Sequence, residues 1–171
     1  MGRGRRRSEA VDDRGHGELF AAAQAAGVRR FVYVSACGAG PSHPIGFFRT
    51  RLALEQVLAA SGLDAVVLRP TAFMEHHVHH FNGKAVLEKG KAQLIGPGTK
   101  PRSFVCAADV APLAVRALVE DPPPLRTLAI GGHGQHSSAE VAARYTAHCA
   151  AKVEGQCGFQ RRGGPRPRRI D

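Results

Sequence analysis

Two short runs set the terms for this chain. Phe31 to Ser35 reads FVYVS and Ala65 to Arg69 reads AVVLR, each apolar at consecutive rather than alternate positions. A strand with one wet face alternates and a strand covered on both faces does not, so both runs belong in a sheet sandwiched between other layers. Between them lies FFRTRLALEQVLAA, Phe47 to Ala60, which places Phe47, Leu54, Val57 and Leu58 at helical spacing, with Gly62 as its stop. Strand, helix, strand with short links is a crossover, which parallel neighbours require. The expected fold class is α/β with a parallel, doubly wound sheet.

The same grammar continues on either side. ELFAAAQAA, Glu18 to Ala26, predicts a helix ended by Gly27. SFVC, Ser103 to Cys106, reads as a short strand. DVAPLAVRALVE, Asp109 to Glu120, reads as a helix capped by Asp109, with Pro112 tolerated in its first turn. TLAI, Thr127 to Ile130, is the third strand of the sheet. A last helix is expected from the capping box of Ser137 and Glu140.

Length and charge narrow the class. With 171 residues the chain fits one domain and needs no staples to bury a core. Its four cysteines form no C-x-x-C pair, no leader-like start is seen, and no apolar run approaches the ~20 residues of a membrane helix, so a cytoplasmic protein without membrane contact is expected. The net charge of +10 is concentrated at the ends: residues 1–10 and 161–171 supply +7, leaving +3 for residues 11–160. Arginines mixed with Gly and Pro predict disordered basic tails over 1–10 and 156–171 around a folded part at 11–155. No aromatic residue is interleaved with them to stack on bases, so no specific nucleic-acid partner is expected.

In their order, AAGVRRFVYVSA, ALEQVLAASGLDAVVLRPTAFME, GPGTKPRSFVCAADVA and RTLAIGG resemble the NmrA-like branch of the atypical short-chain dehydrogenase/reductases over roughly residues 11–152. The resemblance implies a Rossmann-like domain that binds NAD(P)(H) across the carboxyl ends of its strands, with a small-molecule substrate beside the nicotinamide. It covers only the later part of that fold. The family opens with a strand and a glycine-rich turn for the pyrophosphate, and the residues here before Val11 resemble neither. The chain therefore reads as an amino-terminally truncated member, with the first βαβ units missing and an open sheet edge that invites a homo-oligomer or another covering partner. Cofactor binding by the chain alone is an open expectation.

Site residues follow from the resemblance. Ser35 is the candidate catalytic residue, because the family places a Ser or Thr there to face the nicotinamide and orient a substrate carbonyl. Cofactor contacts are implied for Ser35, Ala36, Arg51, Pro70, Thr71, Ala72 and Phe73. Phe47, Phe73, Met74, His76 and His77 are implied to line the substrate cleft. The wider superfamily uses a Tyr and a Lys four positions on as its acid; aligned on Glu55, Phe47 and Arg51 stand there, and neither supplies a proton near neutral pH. Without that pair, two readings stay open: an NAD(P)H-dependent oxidoreductase working differently, or a non-catalytic NAD(P)-binding sensor. An inactive fragment is the third.

Two motifs are weighed and set aside. If Glu75 to His80 is helical, His76 and His80 share a face at a spacing that can hold zinc, yet neither H-E-x-x-H nor a cysteine pair completes a site, so no metal is expected. Gly132-x-Gly134-x-x-Ser137 imitates a dinucleotide fingerprint. It is read as the glycine pair before the last helix, since no strand follows that helix.

Overall fold

The structure is a computed structural model that describes residues 3–89, 94, 97–121 and 126–148. The element order is α1 (Arg3–Ala25), β1 (Phe31–Val34), α2 (Gly46–Ala60), β2 (Ala65–Pro70), β3 (Ala72–Phe73), a π-helix (Glu75–Gly83), α3 (Lys84–Lys89), β4 (Pro101–Val105), α4 (Ala107–Val119), β5 (Thr127–Ile130) and β6 (Gln135–Ser137). Residues 138–148 form a last helix. Two compact units result where composition predicts one domain: Met1–Phe73 with Ser103–His133, and Met74–Arg102 with Gly134–Asp171.

The first unit is built on a parallel sheet in the order β1-β2-β5. Val34 stands opposite Leu68 and Pro70 opposite Ile130, so the carboxyl ends of all three strands lie on one edge. Both faces are covered, as the consecutive apolar runs require. On one face Phe20 of α1 and Leu54 and Leu58 of α2 pack on Tyr33 and Val67. On the other, Val110 and Ala117 of α4 pack on Val66, Leu68 and Ile130. Phe20 and Leu58 are each 1% exposed, and each contributes about 2 kcal/mol by leaving water.

Local signals set where the helices stop. Gly27 takes φ 66° after α1, where the Val28 amide donates to Ala23 O at 3.0 Å and the Gly27 amide to Gln24 O at 3.0 Å. That pair of bonds is a Schellman motif, which needs the left-handed backbone glycine allows. Gly62, at φ 77°, follows α2 with the same left-handed backbone, but there the Leu63 amide donates to Ser61 Oγ at 3.3 Å.

Four expectations are corrected. The backbone of residues 3–10, read as a tail, is the start of α1; its Arg, Glu and Ala are good helix formers even though its first turn carries no acid. α4 begins at Ala107, so Asp109 sits in its first turn and its side chain caps nothing; Cys106 holds the cap position. Pro112 is therefore inside the helix, beyond the first turn. The segment from Glu75 is a π-helix, not an α-helix, which undoes the i,i+4 geometry assumed for its histidines. The predicted tail at 156–171 lies outside the described residues.

An ion cluster closes the amino end of the sheet. Arg30, ahead of β1, donates from Nε to Asp64 Oδ2 at 2.7 Å and from its two terminal nitrogens to Asp121 Oδ1 at 3.0 Å and to the Glu120 carbonyl. Arg126, ahead of β5, donates to the other oxygen of Asp64. The Arg126 and Arg30 hydrogen bonds hold the Asp64 carboxyl below its usual pKa, and Asp64 in turn raises that of Arg30.

In the second unit, Ser137 and Glu140 form the expected capping box. The Ser137 amide donates to Glu140 Oε2 at 2.8 Å and the Glu140 amide to Ser137 Oγ at 3.1 Å. That amide hydrogen bond lowers the Glu140 pKa. Gly83 lies so close to the Tyr145 ring that a Cβ there would come within 2.4 Å of it.

Candidate functional site

The carboxyl edge of the β1-β2-β5 sheet continues past its strands as three loops. The Ser35 amide donates to Leu68 O at 2.7 Å, the Cys37 amide to Pro70 O at 2.8 Å, and the Thr71 amide to Ile130 O at 2.8 Å. These bonds carry the register outward. Ser35 thus stands beside Arg69, Ala36 beside Pro70, and Cys37, Thr71 and Gly131 form the row after that. At Thr71 the chain also changes sheets, because Ala72 and Phe73 pair in parallel with Phe104 and Val105 of β4.

A buried charge network lies beneath this edge. Ser35 is 7% exposed and Glu55 of α2 is 8% exposed. Ser35 Oγ donates to Glu55 Oε1 at 2.5 Å, Arg69 Nε donates to the same oxygen at 3.0 Å, and a second Arg69 nitrogen donates to Oε2. The Glu55 hydrogen bond holds Arg69 above its usual pKa. Two bonds from one guanidinium fix the carboxylate plane as well as its charge. Glu55 was not among the residues singled out from sequence, although a glutamate beside Leu54 and a helical step from Leu58 already points toward the buried face.

Above the network, one polar group is left unsatisfied and two glycines are tightly packed. Thr71 Oγ1 is inaccessible and has no hydrogen-bond partner, which costs about 1–3 kcal/mol in a closed structure. Gly131 and Gly132 follow β5 where backbone and side chains crowd. A Cβ on Gly131 would stand 3.0 Å from Ser103 Oγ, and one on Gly132 would stand 2.0 Å from the Phe104 carbonyl oxygen. The Gly132 amide donates to Ser103 Oγ at 2.9 Å.

The remaining predicted residues fall in three places. Ala36 follows Ser35, half-buried, and Pro70 is buried at the end of β2. Phe47 and Arg51 lie one turn apart on α2: Phe47 is 48% exposed, and the Arg51 guanidinium stands 4.9 Å from its ring centre. Arg51 also donates to the Tyr33 hydroxyl at 2.9 Å, which brings a phenol of β1 beside it. Phe73 packs against the α4-facing core. Met74, His76 and His77 belong to the second unit, where the two imidazole rings stand 5.6 Å apart. Burial, then His76 and Arg102, lowers the His77 pKa. Among the described residues no group of three metal-ligating side chains comes together.

The glycine fingerprint does not form a phosphate loop. β6 intervenes between Gly134 and the last helix, whose first amides are already served by Ser137 and Glu140. A cavity of about 560 Å³ opens elsewhere, between the end of α2 and the amino ends of β2 and β5, lined in part by Leu63, Asp64, Val67 and Arg126. Of its charged groups, Asp64 and Arg126 pair with each other and Glu55 with Arg69, so its size alone does not make it the chemical centre.

Comparisons with known proteins agree on this fold. A family model described as NAD(P)H-binding matches residues 1–121. The NAD(P)H azoreductase of Xenophilus azovorans is 32% identical over 136 residues, which cover 79% of this chain and 46% of that protein. A mitochondrial NADH dehydrogenase [ubiquinone] 1 alpha subcomplex subunit 9 of Arabidopsis thaliana is 29% identical over 119 residues, covering 68% and 30%. The chain thus spans less than half the length of these relatives. Among solved structures, a UDP-glucose 4-epimerase of Thermotoga maritima superposes with a TM-score of 0.72 at 19% identity, over 85% of this chain and 55% of its own. The WbmG enzyme of Bordetella bronchiseptica, in complex with NAD, gives 0.64 at 20% identity, over 84% and 50%. At such identities the likeness is one of fold.

Proposed function

The chain belongs to the NAD(P)H-binding family, and from that premise we propose an NAD(P)H-dependent oxidoreductase-like protein of the NmrA-like branch, with its dinucleotide across the carboxyl edge of the β1-β2-β5 sheet. The observation that carries this reading is the conjunction at Thr71. A buried hydroxyl without a partner lies in the row shared with Gly131, where the chain switches from one sheet to the other. Ligands of doubly wound sheets collect outside the carboxyl ends of the strands, which is where this row lies. The residues present fit a dinucleotide: Ser35, Ala36, Pro70 and Thr71 border the edge, and the buried Thr71 hydroxyl has its hydrogen-bonding capacity unused.

When bound, the nicotinamide supplies or takes up a hydride. The chain's own groups hold and orient. Glu55 and Arg69 lock the end of β2 to α2, and the ladder bonds of Ser35, Cys37 and Thr71 fix three backbones at one level. The substrate we infer is a small planar acceptor resting against the exposed Phe47 ring.

A second reading, a non-catalytic NAD(P)-dependent sensor, is favoured by one observation. Phe47 stands where the superfamily's acid is expected, and the nearest phenol, Tyr33, is 5% exposed and bonded to Arg51. We also propose that a second chain covers the outer edge of β1, which pairs only with β2 among the described strands. Titration of the purified chain with NADPH and NADH at low and moderate salt tests the main reading. Saturable binding that survives salt is expected; binding that salt abolishes is the attraction of basic segments for any phosphate and contradicts it.

A further inference from the structure

A strand-end serine that orients a carbonyl oxygen must offer that oxygen its proton. Here the proton is directed elsewhere. Ser35 Oγ donates to Glu55 Oε1 at 2.5 Å, and the accepting carboxylate is held in place by two bonds from Arg69. A hydroxyl has one proton and two lone pairs, so Ser35 has only lone pairs left for a ligand. Hydrogen bonds from a hydroxyl to a carboxylate are roughly twice as strong as neutral ones. Rotating the hydroxyl away would also strip a bond from a carboxylate that is 8% exposed.

We propose that Ser35 meets its ligand as a hydrogen-bond acceptor, and that Glu55 is the positioning residue that enforces this polarity. The ligand group at Ser35 then carries an N–H or O–H. This inference rests on the dinucleotide reading above, under which the matching group is the carboxamide amino group of the nicotinamide and not a substrate carbonyl. Approach is from the end of the strand, where Ala36 is half-buried and Cys37 exposed.

The test compares NADPH with its reduced 3-acetylpyridine analogue, which keeps the carbonyl but has a methyl in place of the amino group. Affinities are read by fluorescence titration on folded protein, with thermal melting as the check on each variant. Wild type is expected to prefer NADPH about tenfold, the scale of one hydrogen bond in a partly closed site. Ser35→Ala should erase the preference and Ser35→Thr should keep it. Glu55→Gln should reduce or reverse it, because an amide N–H facing Ser35 turns the hydroxyl proton outward. Equal affinities in wild type, or an undiminished preference in Ser35→Ala, would overturn the inference while leaving the dinucleotide reading in place. Failure of wild type to bind either dinucleotide overturns both.

Discussion

The two ends of the three-stranded sheet use the same kinds of residue for different ends. At the amino end Arg30, Asp64, Asp121 and Arg126 saturate one another, and the Glu120 carbonyl takes up a further Arg30 donor. At the carboxyl end Ser35, Glu55 and Arg69 form an equally tight set, but two rows farther out Thr71 keeps an unpaired hydroxyl beside glycines packed against Ser103 and Phe104. A closed ion cluster ties segments together and asks for nothing more. An orphaned polar atom above a rigid network is instead a vacancy in hydrogen bonding, and it separates a site from a clasp more sharply than cavity size does. The 560 Å³ cavity, after all, borders the clasp.

Substitutions can break this contrast, and the largest effect is expected at Gly132. A Cβ 2.0 Å from the Phe104 carbonyl oxygen must displace backbone, so Gly132→Ala should cost about 3 kcal/mol in a denaturant melt. Glu55→Ala comes next. It strands the Ser35 hydroxyl and a partly exposed Arg69 and should cost about 2–3 kcal/mol, less than a fully buried pair would.

The amino-end cluster should reveal itself through acid. The Asp64 pKa is depressed in the folded state, so its contribution is present above the unfolded carboxylate value of about 3.9 and is lost as pH falls through the folded one. Wild type should therefore lose melting temperature more steeply than Asp64→Asn on acidification below that value. Parallel curves would remove the clasp from the account. The smallest effect is expected at Thr71, and its sign is the telling part. Thr71→Val deletes an unsatisfied hydroxyl and should leave the ligand-free protein unchanged or up to about 1 kcal/mol more stable, while weakening NADPH.

What the sequence made legible was local. FVYV, AVVLRP and TLAI are strands because they are apolar on both faces, Gly27 and Gly62 stop helices because they take positive φ, and Ser137 with Glu140 spell out their own cap. The pairings that define the two sheet ends span long stretches of chain. Arg30 meets Asp64 across 34 positions and Asp64 meets Arg126 across 62, so register decides them and no window of residues displays them. Ser35 stands out in the sequence by its place at a strand end, yet its proton's direction depends on where α2 sets Glu55. A charged residue on the apolar side of LALEQVL, and an arginine closing AVVLR, were the available signals for that network. The π-helix escaped because no residue type in EHHVHHFNG marks a wider turn and only the backbone reveals it.

Backbone amide resonances followed during an NADPH titration at moderate salt show which end of the sheet takes the dinucleotide. Saturable shifts at Ser35 to Cys37, Thr71, Gly131 and Gly132, with Asp64 and Arg126 unmoved, are the predicted result. Shifts centred on Asp64, Arg126 and Thr127 around the amino-end cavity would place the ligand at the clasp and contradict the account.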